Sequence, residues 1–160
     1  MSLLDTYQTA DQSSQLFEFI NNDSVDPTTL PVRKTIGSAG FDLYAAETIV
    51  ISGFEGSIPV HTNIRVNLPV GTFGKLEMRS SLAVNEHLAI GAGVIDQDYH
   101  GEIIVVVYCV KANHKFTITK GTRFAQFILY PNLAQRLNLG VENTVSQIRG
   151  DGGFGSTGHN

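Results

Sequence analysis

The segment from Arg149 to Gly158, with the sequence RGDGGFGSTG, combines residue types that suit a phosphorylated nucleotide. Glycine lets backbone N–H groups approach a phosphate closely because no Cβ stands in the way. Arg149 can donate two parallel hydrogen bonds to phosphate oxygens, and Phe154 offers a flat face to a base. The segment lacks the lysine of a P-loop. The alternative is a solvated tail, which is common for termini of this composition, so binding requires partners elsewhere in the chain.

A second candidate is the tripeptide Arg79-Ser80-Ser81, which places a guanidinium directly before a predicted short helix. Helix N-termini bind anions because their first backbone N–H groups have no partner within the helix. Ser80 is predicted to cap this helix, and the arginine, the hydroxyls and the backbone could address one phosphate. The alternative is an ordinary helix cap beside a solvated arginine.

The third candidate is the segment 89–102, with the sequence AIGAGVIDQDYHGE, which predicts a strand, a tight glycine-rich turn and a second strand, as in a hairpin. Backbone groups between Ile90 and Val94 could read the edge of a base. Asp96 lies where an apolar strand ends and the hairpin opens, and is the candidate general base that would hold one water for attack on phosphorus. The alternative is that Asp96 and Asp98 are only turn residues. A serine–histidine mechanism is disfavoured because no G-x-S-x-G motif is present.

Two polar residues interrupt apolar strand-like runs. Asp42 lies within AGFDLYAA, and a carboxylate there needs a partner if it is buried. A cation or an arginine would serve, and a hydrogen-bonded structural role is the alternative. Gln126, within GTRFAQFIL, could donate to a phosphate.

Composition limits the classes of protein to which the chain can belong. Its 160 residues favour one domain, and 42% hydrophobic and 16% charged residues with no membrane-length apolar run predict a soluble, intracellular protein without membrane association. The formal net charge is -4, and five acidic residues precede the first basic one, Arg33. The near-neutral remainder argues against direct nucleic-acid binding. Cys109 is predicted to be a small buried apolar residue, and the scattered histidines predict no structural zinc.

The elements that must position these residues are mostly short strands. Residues 1–28 form a polar, acidic extension, where Thr9 and Gln12 have the spacing of a capping box and predict a short helix reaching Ile20. The following region, 29–146, is predicted to be an all-β domain, a sandwich or jelly-roll-like barrel, and 147–160 to be a glycine-rich arm. The predicted strands are 48–52, 57–68, 75–78, 103–110, 115–119 and 124–130.

Taken in order, the five segments resemble the five motifs of the homotrimeric dUTPases, enzymes that hydrolyse deoxyuridine triphosphate. The matching sequences are AGFDLYA (39–45), RSSLA (79–83), GAGVIDQDYHG (91–101), GTRFAQ (121–126) and RGDGGFGSTG (149–158). The resemblance covers about Arg33 to Asn160. It implies an all-β, jelly-roll-like distorted β-barrel with one short helix, assembled as a homotrimer. The swapped C-terminal arm would close over a neighbour's pocket, so that three subunits build each site.

The resemblance also implies a reaction and residue roles. Water would attack the α-phosphorus of dUTP with the help of Mg²⁺, giving dUMP and pyrophosphate, limiting uracil incorporation into DNA and supplying dUMP. Asp96 matches the carboxylate that orients the water, and Tyr99 the ring that excludes a ribose 2′-hydroxyl. The other matched residues are Ile90, Gly93, Val94 and Ile95 for uracil, Arg79, Ser80, Ser81 and Gln126 for phosphate, Phe154 for stacking on uracil, and Arg149, Gly155, Ser156 and Thr157 for the terminal phosphates.

Magnesium would bind chiefly through the triphosphate and reach Asp42 only through water. Ser81, His100 and Thr122 stand where glycine, arginine and aspartate are frequent in the family. A nucleotide-sensing or regulatory protein on the same scaffold is the alternative function, motivated by the acidic extension. A related deoxycytidine nucleotide deaminase is a further, less favoured possibility.

Overall fold

The computed structural model describes residues 18–21 and 29–136, which are almost entirely β-structure. The expected all-β class is confirmed. The strands are β1 (Glu18–Asn21), β2 (Gly40–Tyr44), β3 (Ile49–Ser52), β4 (Ile58–His61), β5 (Ile64–Asn67), β6 (Thr72–Met78), β7 (Leu88–Gly91), β8 (Val94–Ile95), β9 (Ile104–Cys109), β10 (Lys115–Ile118) and β11 (Arg123–Pro131). One short helix, α1 (Ser80–Asn85), follows β6, and a 3-10 turn (Leu133–Arg136) follows β11. Within these described ranges, no helix has the length and apolar character needed to cross a bilayer.

Four sheets surround one hydrophobic core. The largest has the order β2-β11-β6-β8, and a second has the order β4-β9-β7. Two-stranded sheets pair β1 with β5 and β3 with β10, and all these pairings are antiparallel. In β5 and β9 buried residues alternate with more exposed ones, as the two-residue period of a strand requires. Phe124, Phe127 and Leu43 are fully buried between the sheets, and Cys109 is buried as predicted.

Strand β1 corrects the prediction that a short helix reaches Ile20. Ile20, which was expected on a helix, lies in this strand, and the rest of that predicted helix is outside the described residues. Phe19 makes edge-to-face contacts with Phe41 and Phe127, at ring-centroid distances of 5.2 and 5.5 Å. Residues 18–21 of the extension therefore contribute a strand and an aromatic side chain to the domain.

The predicted strand 57–68 is interrupted, which gives β4 and β5. Asn63 has a φ of 57°, a left-handed conformation that asparagine tolerates better than most residues. Thr62 is buried, and its hydroxyl donates to the Ile103 carbonyl at 2.6 Å. This side-chain bond replaces ladder pairing locally and turns the chain.

Candidate active site

Asp42, Arg79, Arg123 and Gln126 come together on the largest sheet and are called the arginine cluster below. The Asp42 side chain is only 14% exposed. Its Oδ2 accepts a hydrogen bond from Arg123 Nη1 at 2.9 Å, and its Oδ1 lies 3.5 Å from Arg79 Nε. Arginine is thus the partner that this largely buried carboxylate required. Two arginines and one aspartate leave the cluster with one net positive charge, which suits an anionic ligand.

An irregularity in β11 holds Arg79 in place. The register of β11 against β2 shifts between Arg123 and Ala125. The Arg79 backbone N–H donates to the Phe124 carbonyl at 3.3 Å, and its Nη1 donates to the Arg123 carbonyl at 2.9 Å. The guanidinium has five N–H groups, so donors remain for a ligand. These bonds orient the guanidinium before any ligand arrives.

Gln126 lies opposite Asp42 on the neighbouring strand and opposite Glu77 on the other side. Directly opposed residues of an antiparallel pair share a face, so Gln126 and Asp42 project together. A Cβ added at Gly40 would lie 2.6 Å from Gln126 Oε1. The glycine of the first motif therefore leaves room for the Gln126 amide.

Helix α1 begins at Ser80, but its cap differs from the predicted one. Arg79 occupies the N-cap position and makes no side-chain capping hydrogen bond. Ser80 and Ser81 lie in the first turn with exposed side chains. The prediction that Ser80 caps the helix was wrong, and its hydroxyl is presented to solvent beside Arg79.

The segment 89–102 does not form the expected hairpin. Strand β7 pairs with β9, whereas β8 pairs with β6, so the chain passes from one sheet to another at Gly91-Ala92-Gly93. Ala92 has a φ of 50°, and a Cβ at Gly93 would lie 2.8 Å from the Leu76 carbonyl oxygen. Gly93 and Ile95 are buried, Ile90 is half-buried and Val94 is 53% exposed.

Strands β7 and β8, which follow each other in the chain, both lie at the edges of their sheets. Among the described strands, β7 is the outer member of its sheet and so is β8 of its own. An outer strand directs one row of backbone N–H and C=O groups away from its ladder. Backbone recognition of a base, as the sequence suggested, is consistent with this arrangement.

Asp96 follows β8 directly and shares a turn with Tyr99, whose backbone N–H donates to the Asp96 carbonyl at 3.1 Å. Asp96 is partly exposed. The Tyr99 hydroxyl donates to the Glu102 carbonyl at 2.7 Å, and the Gln97 side chain accepts from the Gly71 N–H at 3.4 Å. The loop from Asp96 to Glu102 thus carries a carboxylate and an aromatic ring three residues apart, and the hydroxyl of that ring is held by the Glu102 carbonyl.

Within one chain this loop and the arginine cluster are far apart. Ile95 pairs with Gly74 near the start of β6, whereas Arg79 follows the end of that strand. Arg79 lies five positions after Gly74, or ~17 Å along an extended strand. The two sets of residues therefore form two partial sites at opposite ends of β6.

Comparisons with known proteins identify the family. The family model described as dUTPase matches residues 26–158. The chain belongs to the dUTPase family. It is 44% identical over 154 residues to the deoxyuridine 5'-triphosphate nucleotidohydrolase of Debaryomyces hansenii, covering 96% of this chain and 92% of that protein. It is 41% identical to that of Saccharomyces cerevisiae, covering 82% and 88%.

A solved structure confirms the expected jelly-roll-like fold. The dUTPase of Streptococcus mutans superposes with a TM-score of 0.63 at 31% identity, covering 72% of this chain and 94% of that one. The predicted family and the prediction that the chain is an enzyme are both confirmed.

The described part of this dUTPase offers no magnesium cage. In that part, no group of three histidine, cysteine, aspartate or glutamate residues is placed to hold a metal. Asp42 faces two guanidinium groups, and these positive charges oppose a cation close by. A metal held mainly by phosphate oxygens fits these residues, whereas direct coordination by Asp42 does not, and contact of Asp42 with the ion through water stays a prediction.

Some of the predicted site residues lie together in the structure. The structure brings Arg79, Gln126 and Asp42 together and places Asp96 and Tyr99 on one loop. Sequence reasoning missed Arg123, although it lies inside the fourth motif and donates a hydrogen bond to Asp42. The predicted arm residues Arg149, Phe154, Gly155, Ser156 and Thr157 lie outside the described residues.

Proposed function

We propose that this dUTPase hydrolyses dUTP to dUMP and pyrophosphate through attack of a water molecule on the α-phosphorus. The observation that carries the proposal is the turn joining Asp96 and Tyr99, which presents a carboxylate and an aromatic ring three residues apart. A carboxylate can accept a proton from the attacking water, and the ring can pack beneath the deoxyribose. The bond from water oxygen to phosphorus forms as the bond to the pyrophosphate oxygen breaks.

The arginine cluster is proposed to bind the phosphate chain. Arg79 is held by two carbonyls of the β11 irregularity, so it loses little freedom when it binds an anion. Gln126 adds an amide donor, and Ser80 and Ser81 add hydroxyls from the first turn of α1. Their joint role is to position the phosphates and to stabilise charge that develops on them.

Selectivity for uracil is proposed to come from backbone groups of Ile90, Gly93, Val94 and Ile95, with Phe154 stacking on the base. The outer-strand positions of β7 and β8 support this reading. Such an enzyme would limit uracil incorporation into DNA and supply dUMP.

Magnesium is proposed to enter with the substrate. When bound to the triphosphate, Mg²⁺ would supply positive charge that makes the phosphorus more electrophilic. The pairing of Asp42 with Arg79 and Arg123 supports a role for Asp42 in orienting arginines rather than in holding the ion.

A homotrimer is proposed because the two partial sites of one chain are separated by the length of β6. In a closed ring, the Asp96 loop of one subunit can face the arginine cluster of the next. Arg149, Gly155, Ser156 and Thr157 of the arm would then contact the terminal phosphates in a neighbour's site.

The test is pyrophosphate release from dUTP, dTTP, dCTP and UTP under the same conditions. We expect dUTP to be the preferred substrate by at least about a hundredfold in kcat/KM, since the site is built to match one base edge and one sugar. Similar rates with all four nucleotides would refute the proposed pocket. Ammonia release from dCTP would indicate a deaminase instead.

Truncation before Arg149 should abolish hydrolysis and leave the thermal unfolding of the β-domain unchanged.

A further inference from the structure

Glu102 links the Tyr99 loop to the turn between β4 and β5. Its carboxylate Oε1 accepts hydrogen bonds from the backbone N–H groups of Thr62 at 3.1 Å and Asn63 at 2.7 Å. Its Oε2 lies 3.0 Å from His61 Nδ1. The backbone carbonyl of the same residue accepts the Tyr99 hydroxyl at 2.7 Å. One residue thus joins the Tyr99 ring to a second element of the domain.

The turn between β4 and β5, to which Glu102 is hydrogen-bonded, is itself held by further hydrogen bonds. The Ile103 N–H donates to the Ile64 carbonyl at 2.7 Å, and the Thr62 hydroxyl donates to the Ile103 carbonyl at 2.6 Å. The Glu102 side chain is 22% exposed, so its charge-assisted bonds are partly shielded from water. The Glu102 carbonyl is therefore held at a defined position relative to the core.

The Tyr99 ring rests against the backbone next to Glu102. A Cβ at Gly101 would lie 2.5 Å from the Tyr99 hydroxyl oxygen and 2.7 Å from Cζ. A tyrosine hydroxyl has one proton to donate, and here the Glu102 carbonyl receives it. The position of the Tyr99 ring is therefore set by Gly101 and Glu102. A sugar packed on that ring would be limited sterically by this position.

We propose that Glu102 is a positioning residue that sets the selectivity of this dUTPase for deoxyribose over ribose. The proposal rests on the function proposed above, in which Tyr99 packs beneath the sugar. Exclusion of a 2′-hydroxyl by a ring depends on the ring's position, and a shift of about 1 Å is enough to admit a further atom. The Glu102 contacts prevent that shift.

The test compares Glu102→Ala and Glu102→Gln with the unaltered protein by measuring kcat/KM for dUTP and UTP. We expect Glu102→Ala to lower the dUTP-to-UTP ratio about tenfold, largely through faster use of UTP. Glu102→Gln should retain most of the ratio. Its amide oxygen can accept from Thr62 and Asn63 N–H, and its NH₂ can donate to a neutral His61 Nδ1.

Glu86→Ala is the matched control. Glu86 also pairs with a histidine, His114, at 3.2 Å, and its side chain is 28% exposed, but this pair joins the end of α1 to the connection between β9 and β10. We expect its loss to leave the dUTP-to-UTP ratio unchanged, even if stability falls. Equal loss of the ratio in the Glu86 and Glu102 variants would mean that general destabilisation is responsible, and would overturn the proposal.

Tyr99→Phe tests the same linkage without altering the carboxylate. It removes the hydroxyl that bonds to Glu102 and keeps the ring, so the ratio should again fall about tenfold. This variant decides the question if Glu102→Ala does not fold. An unchanged ratio in Tyr99→Phe, or in a folded Glu102→Ala, would overturn the role of Glu102. A wild-type protein with no preference for dUTP over UTP would instead refute the proposed function.

Discussion

The pairing of Asp42 shows what a largely buried carboxylate requires. Its two oxygens contact Arg79 and Arg123, which are 37 and 81 positions away in the chain. A carboxylate shielded from water needs a partner, and the sequence was compatible with either a metal cation or an arginine as the partner of Asp42. The choice between them depends on which strands pair, and that information is not local to Asp42.

Replacement of Asp96 tests its proposed role as the general base. We expect Asp96→Asn to lower kcat for dUTP by about a thousandfold, because an amide cannot accept the proton that water loses. KM should change little, since the carboxylate acts mainly in the transition state. Pyrophosphate release measured over a range of dUTP concentrations separates the two constants.

The neighbouring turn carboxylate supplies the control for this prediction. Asp98→Asn changes a charge two residues away in the same loop and is expected to retain kcat within about tenfold. Asp96→Asn with near-normal kcat would remove Asp96 from the proposed chemistry. Equal losses in both variants would point to loop charge rather than to a specific base.

At the scale of elements, Gly93 is constrained by the passage of the chain from β7 to β8. A Cβ there would lie 2.8 Å from the Leu76 carbonyl oxygen, closer than packed atoms approach. We expect Gly93→Ala to lower the free energy of unfolding by about 2 kcal/mol and to reduce activity, because β8 and Asp96 must move away from β6. Urea denaturation followed by circular dichroism measures the change.

Gly91 offers a matched comparison two residues earlier. A Cβ at Gly91 would lie 3.7 Å from the Tyr108 ring, an ordinary contact distance. Gly91→Ala should therefore change the unfolding free energy by no more than about 0.5 kcal/mol. If both variants lose the same stability, the close approach to Leu76 is not what requires glycine.

Strands were easier to predict from the sequence than their partners. The period and turn signals located β3, β6, β9, β10 and β11 to within a few residues. The predicted hairpin at 89–102 was wrong because β7 and β8 pair with strands distant in sequence, a register that no local pattern records. The break at Asn63 was missed because a threonine side chain and a glutamate 39 residues away stabilise it.

At the scale of the whole molecule, the polar extension contributes to the core through β1. We expect Phe19→Ala to lower the unfolding free energy by about 3 kcal/mol, because its ring packs against Phe41 and Phe127. Phe54, which is 73% exposed, is the control, and Phe54→Ala should cost about 0.5 kcal/mol or less. Thermal unfolding of the two variants checks this, and similar midpoints would show that the Phe19 ring adds nothing to stability.

The proposed sharing of each active site between two subunits predicts that two inactive variants can restore each other's activity. Asp96→Asn and Arg79→Ala subunits should each form inactive homotrimers, because each lacks one half of every site. Unfolding the two together and refolding them at equal amounts would give mixed trimers. A site is then complete when an Arg79→Ala subunit supplies Asp96 and an Asp96→Asn neighbour supplies Arg79, so activity should return to about a quarter of the wild-type level. Refolding each variant alone is the control. Absence of activity in the mixture, with mixed trimers detected by mass spectrometry, would place both residues of each site in one chain.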